Sequence, residues 1–232
     1  RSTCATAIAF DFAAKRLADI DAASAKAEMA AGRFVWIDVN LERADEARAL
    51  LESLGLCHPE ILEDAFTRDL ATQIGRYADC LHLVLTGCRV AGRDLQLERV
   101  DAVMGERSLV TLRRGATEFM NAVHRDLRSD FARFAQSPSF LLYELWDHLI
   151  DNYLKVHETF DERVTAIQRA LIGEVNESIF KEASELSSDL LQLRKVVLPA
   201  RAVLTELSTR KSSFVSEATQ PYLARYGCVA SL

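Results

Sequence analysis

The residues in this chain best suited to chemistry are carboxylates set at helical spacing. Glu60, Glu63 and Asp64 follow Pro59 in the segment His58-Pro-Glu-Ile-Leu-Glu-Asp64. Proline suits the first turn of a helix, so these side chains gather near a helix start, where unsatisfied N–H groups favour negative charge. The same oxygens suit Mg2+, which is usually held by one or two carboxylates and several waters. Capping and cation binding both fit. A second acidic series is Glu144, Asp147 and Asp151. Asp147 lies two residues past Leu145 and is expected to point away from the apolar stripe, with Asp151 one turn on. Like charges at that spacing repel by about 0.2–0.5 kcal/mol per pair, which a bound cation would offset and Lys155 relieves at one end only. A solvated acidic face is the commoner reason for such a series.

His58, His82, His124, His148 and His157 form no HxxxH and no cluster with cysteine at zinc-ligand spacing. His148 with Asp151 is the best pair among them. Lone histidines are usually surface groups or satisfied core groups. The chain has no GxSxG, no Walker loop, no GxGxxG and no cysteine beside a convincing base, so an enzyme is not expected.

The five cysteines, Cys4, Cys57, Cys80, Cys88 and Cys228, are odd in number and widely spaced, as unpaired packed thiols in a reducing compartment would be. With 28 basic against 34 acidic residues the net charge is -6, which leaves no excess positive charge for a nucleic-acid backbone. The 49% apolar content supports a sizeable core. A bilayer-spanning helix needs about 20 apolar residues in a row, and the richest runs, at 81–85 and 140–146, are much shorter. No basic region followed by an apolar run opens the chain, so no secretory signal is expected. The start at Arg1 without Met suggests an excerpt of a longer protein.

The elements that must position these carboxylates change character midway. Residues 34–39 read as a buried strand, as do residues 8–12. Leu41, Ala44, Ala47, Leu50, Leu51 and Leu54 recur at helical spacing up to Gly55, and a short helix from Pro59 to Phe66 follows. Strands are expected at 81–90, 95–104 and 108–112, then a helix over 115–136 with Phe119, Val123, Leu127, Phe131 and Phe134 on one side. Alternation of this kind implies an α/β layer structure, an αβα sandwich, over residues 1–137.

Ser137 and Pro138 read as the N-cap and first residue of a very long amphipathic helix reaching Leu171. A turn at 173–176 leads to Ile179, Ala183, Leu186, Leu190, Leu193, Val197, Ala200, Leu204 and Leu207, a heptad seam. The short connection makes the arms an antiparallel hairpin over 138–212, each roughly 50 Å long. Pro199 should kink the second arm. A third helical segment is expected from Phe214, within a stretch 213–232.

These elements in this order resemble the cytoplasmic domain of the CorA family of magnesium transporters, from about Phe34 to Leu223. The residues that carry the resemblance are Trp36-Ile-Asp38, His58-Pro-Glu-Ile-Leu-Glu-Asp64, Leu81-His-Leu-Val-Leu85, Phe140-Leu-Leu-Tyr143 with Asp147, Asp151 and Tyr153, Leu193-Arg-Lys195 with Pro199, and Pro221-Tyr222-Leu223. The resemblance implies a homopentamer in the inner (cell) membrane, with this portion a cytoplasmic funnel beneath a pore of two transmembrane helices per subunit. A Gly-Met-Asn signature would mark the outer mouth, outside this chain. It further implies Glu63, Asp64 and Asp147 as ligands of regulatory Mg2+ at subunit interfaces, with Mg2+ or Co2+ carried, or Zn2+ if the chain follows the ZntB branch. A soluble coiled-coil scaffold is the alternative from another class. Two departures are visible. Ala71-Thr72-Gln73 stands where the family often has Arg-Pro-Lys, and Ala224-Arg225-Tyr226 stands where a cation-sensing acid can sit.

Overall fold

The computed structural model describes residues 4–67, 73–173 and 176–229, the side chains of Cys228 and Val229 excepted. Ala71 and Thr72 of the first departure, and residues 174–175 of the expected turn, lie outside the described residues.

Seven strands form one sheet: β1 (Ala5–Asp11), β2 (Arg16–Ile20), β3 (Phe34–Asn40), β4 (Gln73–Arg76), β5 (Cys80–Ala91), β6 (Asp94–Gly105) and β7 (Ser108–Arg113). Their spatial order is β2-β1-β3-β7-β6-β5-β4, and β3 with β7 is the parallel pair among antiparallel ones. The helices are α1 (Ala25–Ala30), α2 (Ala44–Leu54), α3 (Pro59–Phe66), α4 (Glu118–Phe134), α5 (Phe140–Leu171), α6 (Glu177–Thr209) and α7 (Gln220–Val229).

Both faces of the sheet are covered, which is why β3 reads as a continuous apolar run rather than an alternation. Its Val35, Ile37 and Val39 join Ala47, Leu51, Ile61 and Leu62 of α2 and α3 in one core. Phe34 and Trp36 face the other way, into a core with Phe119, Val123, Leu127 and Phe131 of α4 and Leu142, Leu145 and Leu149 of α5. Each such side chain removed from water contributes about 1.5–3 kcal/mol.

Two positions fix how the helices meet the sheet. Gly55 ends α2 in the left-handed region, at φ 62, which an L side chain rarely adopts. A Cβ at Gly87 of β5 would lie 2.6 Å from the Phe119 ring, so glycine lets α4 press against the strand. Beyond the β4 pairing, β5 would present bare backbone groups. The Asn152 side chain of α5 meets them, donating to the Cys88 carbonyl at 2.7 Å and accepting from its N–H at 2.8 Å. Tyr153 donates to the Thr86 carbonyl at 2.6 Å.

Past the sheet, α5 continues into the expected hairpin with α6. Val156, Phe160 and Ile167 are buried on α5, as are Leu186, Leu193, Ala200, Leu204 and Leu207 on α6, with Arg163 bonded to Asp189 at 2.7 Å. Several details differ from the sequence reading. Leu190 is 39% exposed, while Val196 and Val203, outside the expected seam, are buried. Phe134, expected on the buried side of α4, is 56% exposed because it lies in the last turn, beyond Phe131. Ser137 and Pro138 form a preceding turn, their carbonyls accepting from Phe140 and Leu141, so the N-cap is Ser139. The third helix starts at Gln220 rather than Phe214, after a turn in which Ser212 and Val215 form an isolated bridge. Strands β2 and β4 and helix α1 were not expected from the sequence.

Candidate cation site

Helix α3 presents its acids as expected, but their surroundings differ. Pro59 occupies its first turn and Glu60 stands exposed there. The Glu63 carboxylate lies 2.9 Å from Arg48 of α2, whose guanidinium also sits over the Phe66 ring. With the Glu63 side chain 72% exposed, that pair contributes little and leaves the carboxylate open to solvent cations. Asp64 is engaged more deeply, its Oδ2 lying 2.6 Å from Arg99 Nη2 and accepting from Gln73 at 3.3 Å.

Arg99 is shared. Its Nε donates to buried Asp101 Oδ1 at 2.7 Å, and His82 Nε2 faces Asp101 Oδ2 at 2.8 Å. Burial opposes the guanidinium's charge, yet Asp101 and Asp64 outweigh it and raise its pKa. A cation at Asp64 therefore competes with a fixed positive charge unless it binds the outward side of the carboxylate. Asp64, His82 and Asp101 have potential ligand atoms within 4.8 Å of one another.

Asp147 sits on the other face of the sheet, on α5. It accepts a hydrogen bond from the Tyr226 hydroxyl of α7, which also lies 3.1 Å from the Tyr143 hydroxyl. Burial first, then the bond to Asp147, raises the Tyr226 pKa, so this hydroxyl stays a donor. Arg225, the departure noted in the sequence, is exposed beside it. Asp147 clusters with His148 and Asp151, and burial with the Asp147 charge raises the Asp151 pKa. Within one chain, then, Asp64 and Asp147 belong to separate clusters and Glu63 to neither.

Glu144, read from sequence as part of a solvated acidic stripe, is instead buried at 1% exposure. It faces α4, where Asp130 joins it and His148 in a third cluster. Burial raises the Glu144 pKa. For His148 burial works against the charged form, but the carboxylate of Glu144, with those of Asp147 and Asp126, outweighs it and raises its pKa. The spacing of Glu144 and His148, one helical turn apart, was the available signal.

Another buried polar site was not foreseen at all. Asp38 of β3 accepts from Thr111 at 2.7 Å and from Arg113 at 2.9 Å, and His124 Nε2 lies 3.0 Å away. Trp36 donates to Thr111 at 3.0 Å and stacks on His124 at 4.6 Å. This explains the Trp36-Ile-Asp38 sequence: both outer residues face α4 and tie the parallel β3–β7 pair to it. Burial pushes the thiols up, Cys57 to about 12, Cys80 to about 11 and Cys88 to about 12, which keeps them protonated and weak as nucleophiles.

The sequence pattern of the family described as "CorA-like Mg2+ transporter protein" matches residues 31–226. Among curated proteins, the chain is 22% identical over 191 residues to the "Cobalt/magnesium transport protein CorA" of Thermotoga maritima, covering 81% of this chain and 54% of that one. It is 25% identical over 169 residues to the "Putative metal ion transporter YfjQ" of Bacillus subtilis, covering 73% and 52%. The chain thus spans about half the length of the curated relatives it matches. Its fold matches the soluble domain of CorA from Methanocaldococcus jannaschii at TM-score 0.85 and 12% identity, covering 99% of this chain and 89% of that one. The ZntB cytoplasmic domain from Vibrio parahaemolyticus matches at TM-score 0.70 and 13% identity, covering 97% and 90%.

Proposed function

The chain belongs to the CorA-like Mg2+ transporter family, and we propose that it is the cytoplasmic, cation-sensing portion of a membrane transporter whose main ion is Mg2+. The observation that carries this reading is that the family match over 31–226 coincides with the fold of a CorA soluble domain. The family is one of channels and transporters rather than enzymes. Among the described residues no helix is long and apolar enough to cross a membrane, so in this reading the pore belongs to a part of the protein outside these 232 residues.

Residues 1–137 form the sensing layer, 138–212 the hairpin and 213–232 the opening of the stalk. The whole protein is a homopentamer, and Leu171, Ile172, Phe180, Leu191 and Leu198, exposed along the hairpin, give it apolar surface for neighbours. Glu63, Asp64 and Asp147 would then meet across subunits, where Mg2+ bridges carboxylates that one chain keeps apart. Zn2+ as the carried ion is the second reading, since a ZntB domain shares the fold. The open oxygen donor at Glu63 and protonated thiols favour the harder ion. The scaffold reading gives way because Ala200, Leu204 and Leu207 of the α6 seam are buried in the sheet's own core.

The test of sensing is thermal unfolding of the full-length assembled protein over a Mg2+ titration. A ligand that binds only the folded form adds about 2.7 kcal/mol per site at a hundred times its Kd. Asp64→Ala and Asp147→Ala should flatten the rise, and Arg225→Asp should steepen it by removing a repelling charge. Four identical curves would remove these residues from the sensor.

A further inference from the structure

Two helices of this chain each contribute a pair of potential metal ligands one turn apart, and the pairs face each other. Glu144 and His148 lie on α5, Asp126 and Asp130 on α4. His148 Nε2 is the hub, 3.4 Å from Glu144 Oε2 and 3.8 Å from Asp126 Oδ2. Asp130, Glu144 and His148 each bring a ligand atom within 4.8 Å of the others.

The site differs from an ordinary acidic face in one respect. Glu144 Oε2 and His148 Nε2 are both out of contact with water and, among the described residues, make no hydrogen bond, only a long contact with each other, and their side chains are 1% and 7% exposed. Their 3.4 Å separation is longer than a well-formed N–H···O bond. Buried polar atoms of this kind are uncommon and costly unless something else satisfies them. Asp130 likewise has no hydrogen-bond or ion-pair partner among the described residues, whereas Asp126 is already held by Arg125 at 2.8 and 2.9 Å.

We propose that Asp130, Glu144 and His148 form an intrasubunit binding site for a divalent transition-metal cation of the Zn2+ type, bridging α4 and α5. Ligands at 2.0–2.1 Å from a tetrahedral ion lie about 3.3–3.4 Å from one another, the separation of Glu144 Oε2 and His148 Nε2. One imidazole nitrogen with two carboxylates suits Zn2+ or Co2+, while Mg2+ prefers an all-oxygen shell. Water or Asp126 completes the fourth position. The site stands whichever ion the whole protein carries, because it uses none of Glu63, Asp64 and Asp147. It would clamp α4 against the hairpin base, next to Asp147, and so couple transition-metal level to the packing on which the stalk contact rests.

The experiment titrates the 232-residue chain with Zn2+ against a chromophoric chelator, in millimolar Mg2+. Wild type should bind one equivalent, and Asp130→Asn, Glu144→Gln and His148→Gln should each weaken binding at least tenfold with circular dichroism unchanged. His58→Gln, in the separate His58–Asp79–Cys80 cluster, should not. Should a variant at Glu144 or His148 not fold, the wild type alone decides: Co2+ must give the intense visible bands of a tetrahedral site, and Zn2+ must shift the His148 ring nitrogen resonance. Failure of the wild type to bind Zn2+ in the micromolar range, or binding lost in His58→Gln and kept in His148→Gln, overturns the proposal.

Discussion

Asp38→Asn is the sharpest single test of how this fold is held. Asp38 is 2% exposed and serves three groups: Thr111 on one oxygen, Arg113 and His124 on the other. The asparagine keeps its shape, and its carbonyl oxygen can still face Arg113 and His124. Its amide then meets the Thr111 hydroxyl, which already accepts from Trp36 and would lose the acceptor for its own proton. The Thr111 bond to the carboxylate, in the charge-assisted range of about 1.5–3 kcal/mol, is lost, and the bonds from Arg113 and His124 weaken because they no longer meet a carboxylate charge. The sum is about 3 kcal/mol, the low end of the 3–5 expected on breaking a buried ion pair. For a chain of this size that lowers Tm by roughly 6–12 °C. The pH dependence has a fixed sign. Burial opposes the Asp38 charge, but His124, Arg113 and Thr111 outweigh it and lower the pKa below 3.8. A depressed acid contributes stability that is present above its unfolded value and lost as pH falls through the folded one. The gap between wild type and variant should therefore hold from pH 7 down to about 4 and close below it. Urea unfolding at several pH values measures this. A loss under about 1 kcal/mol, or a gap that does not narrow in acid, would refute the reasoning.

Asn152→Leu should cost about 2–4 kcal/mol in denaturant unfolding, since it strips both partners from the buried Cys88 backbone. Tyr226→Phe removes a bond to a carboxylate and should cost about 1–2 kcal/mol, with faster amide exchange confined to α7; unchanged exchange there would mean that Asp147 does not hold that helix.

How much of this was legible in the sequence varied with how local the cause was. Helix α3 could be placed because Pro59 opens it, and α2 because Gly55 closes it. Long α5 and α6 announced themselves by unbroken periodicity. The strands that went unseen, β2 and β4, are the two edges of the sheet: Arg16–Ile20 and Gln73–Arg76 contain no buried residue, so they carry no alternation to detect. For the same reason in reverse, Glu144 was read as solvated, because nothing on α5 says that α4 will cover it. The acids of α3 were visible, but the partners that set their chemistry were not. Arg48 and Arg99 come from 15 residues before Glu63 and 35 residues after Asp64, brought near by the sheet order.

The central claim is that this chain senses cations for a Mg2+ transporter, and ion flux through the full-length protein in liposomes tests it most directly. With an indicator trapped inside, external Mg2+ should enter, entry should slow as internal Mg2+ rises, and Asp64→Ala with Asp147→Ala should blunt that slowing. Folded, membrane-inserted protein that passes no more Mg2+ than empty liposomes would contradict the account.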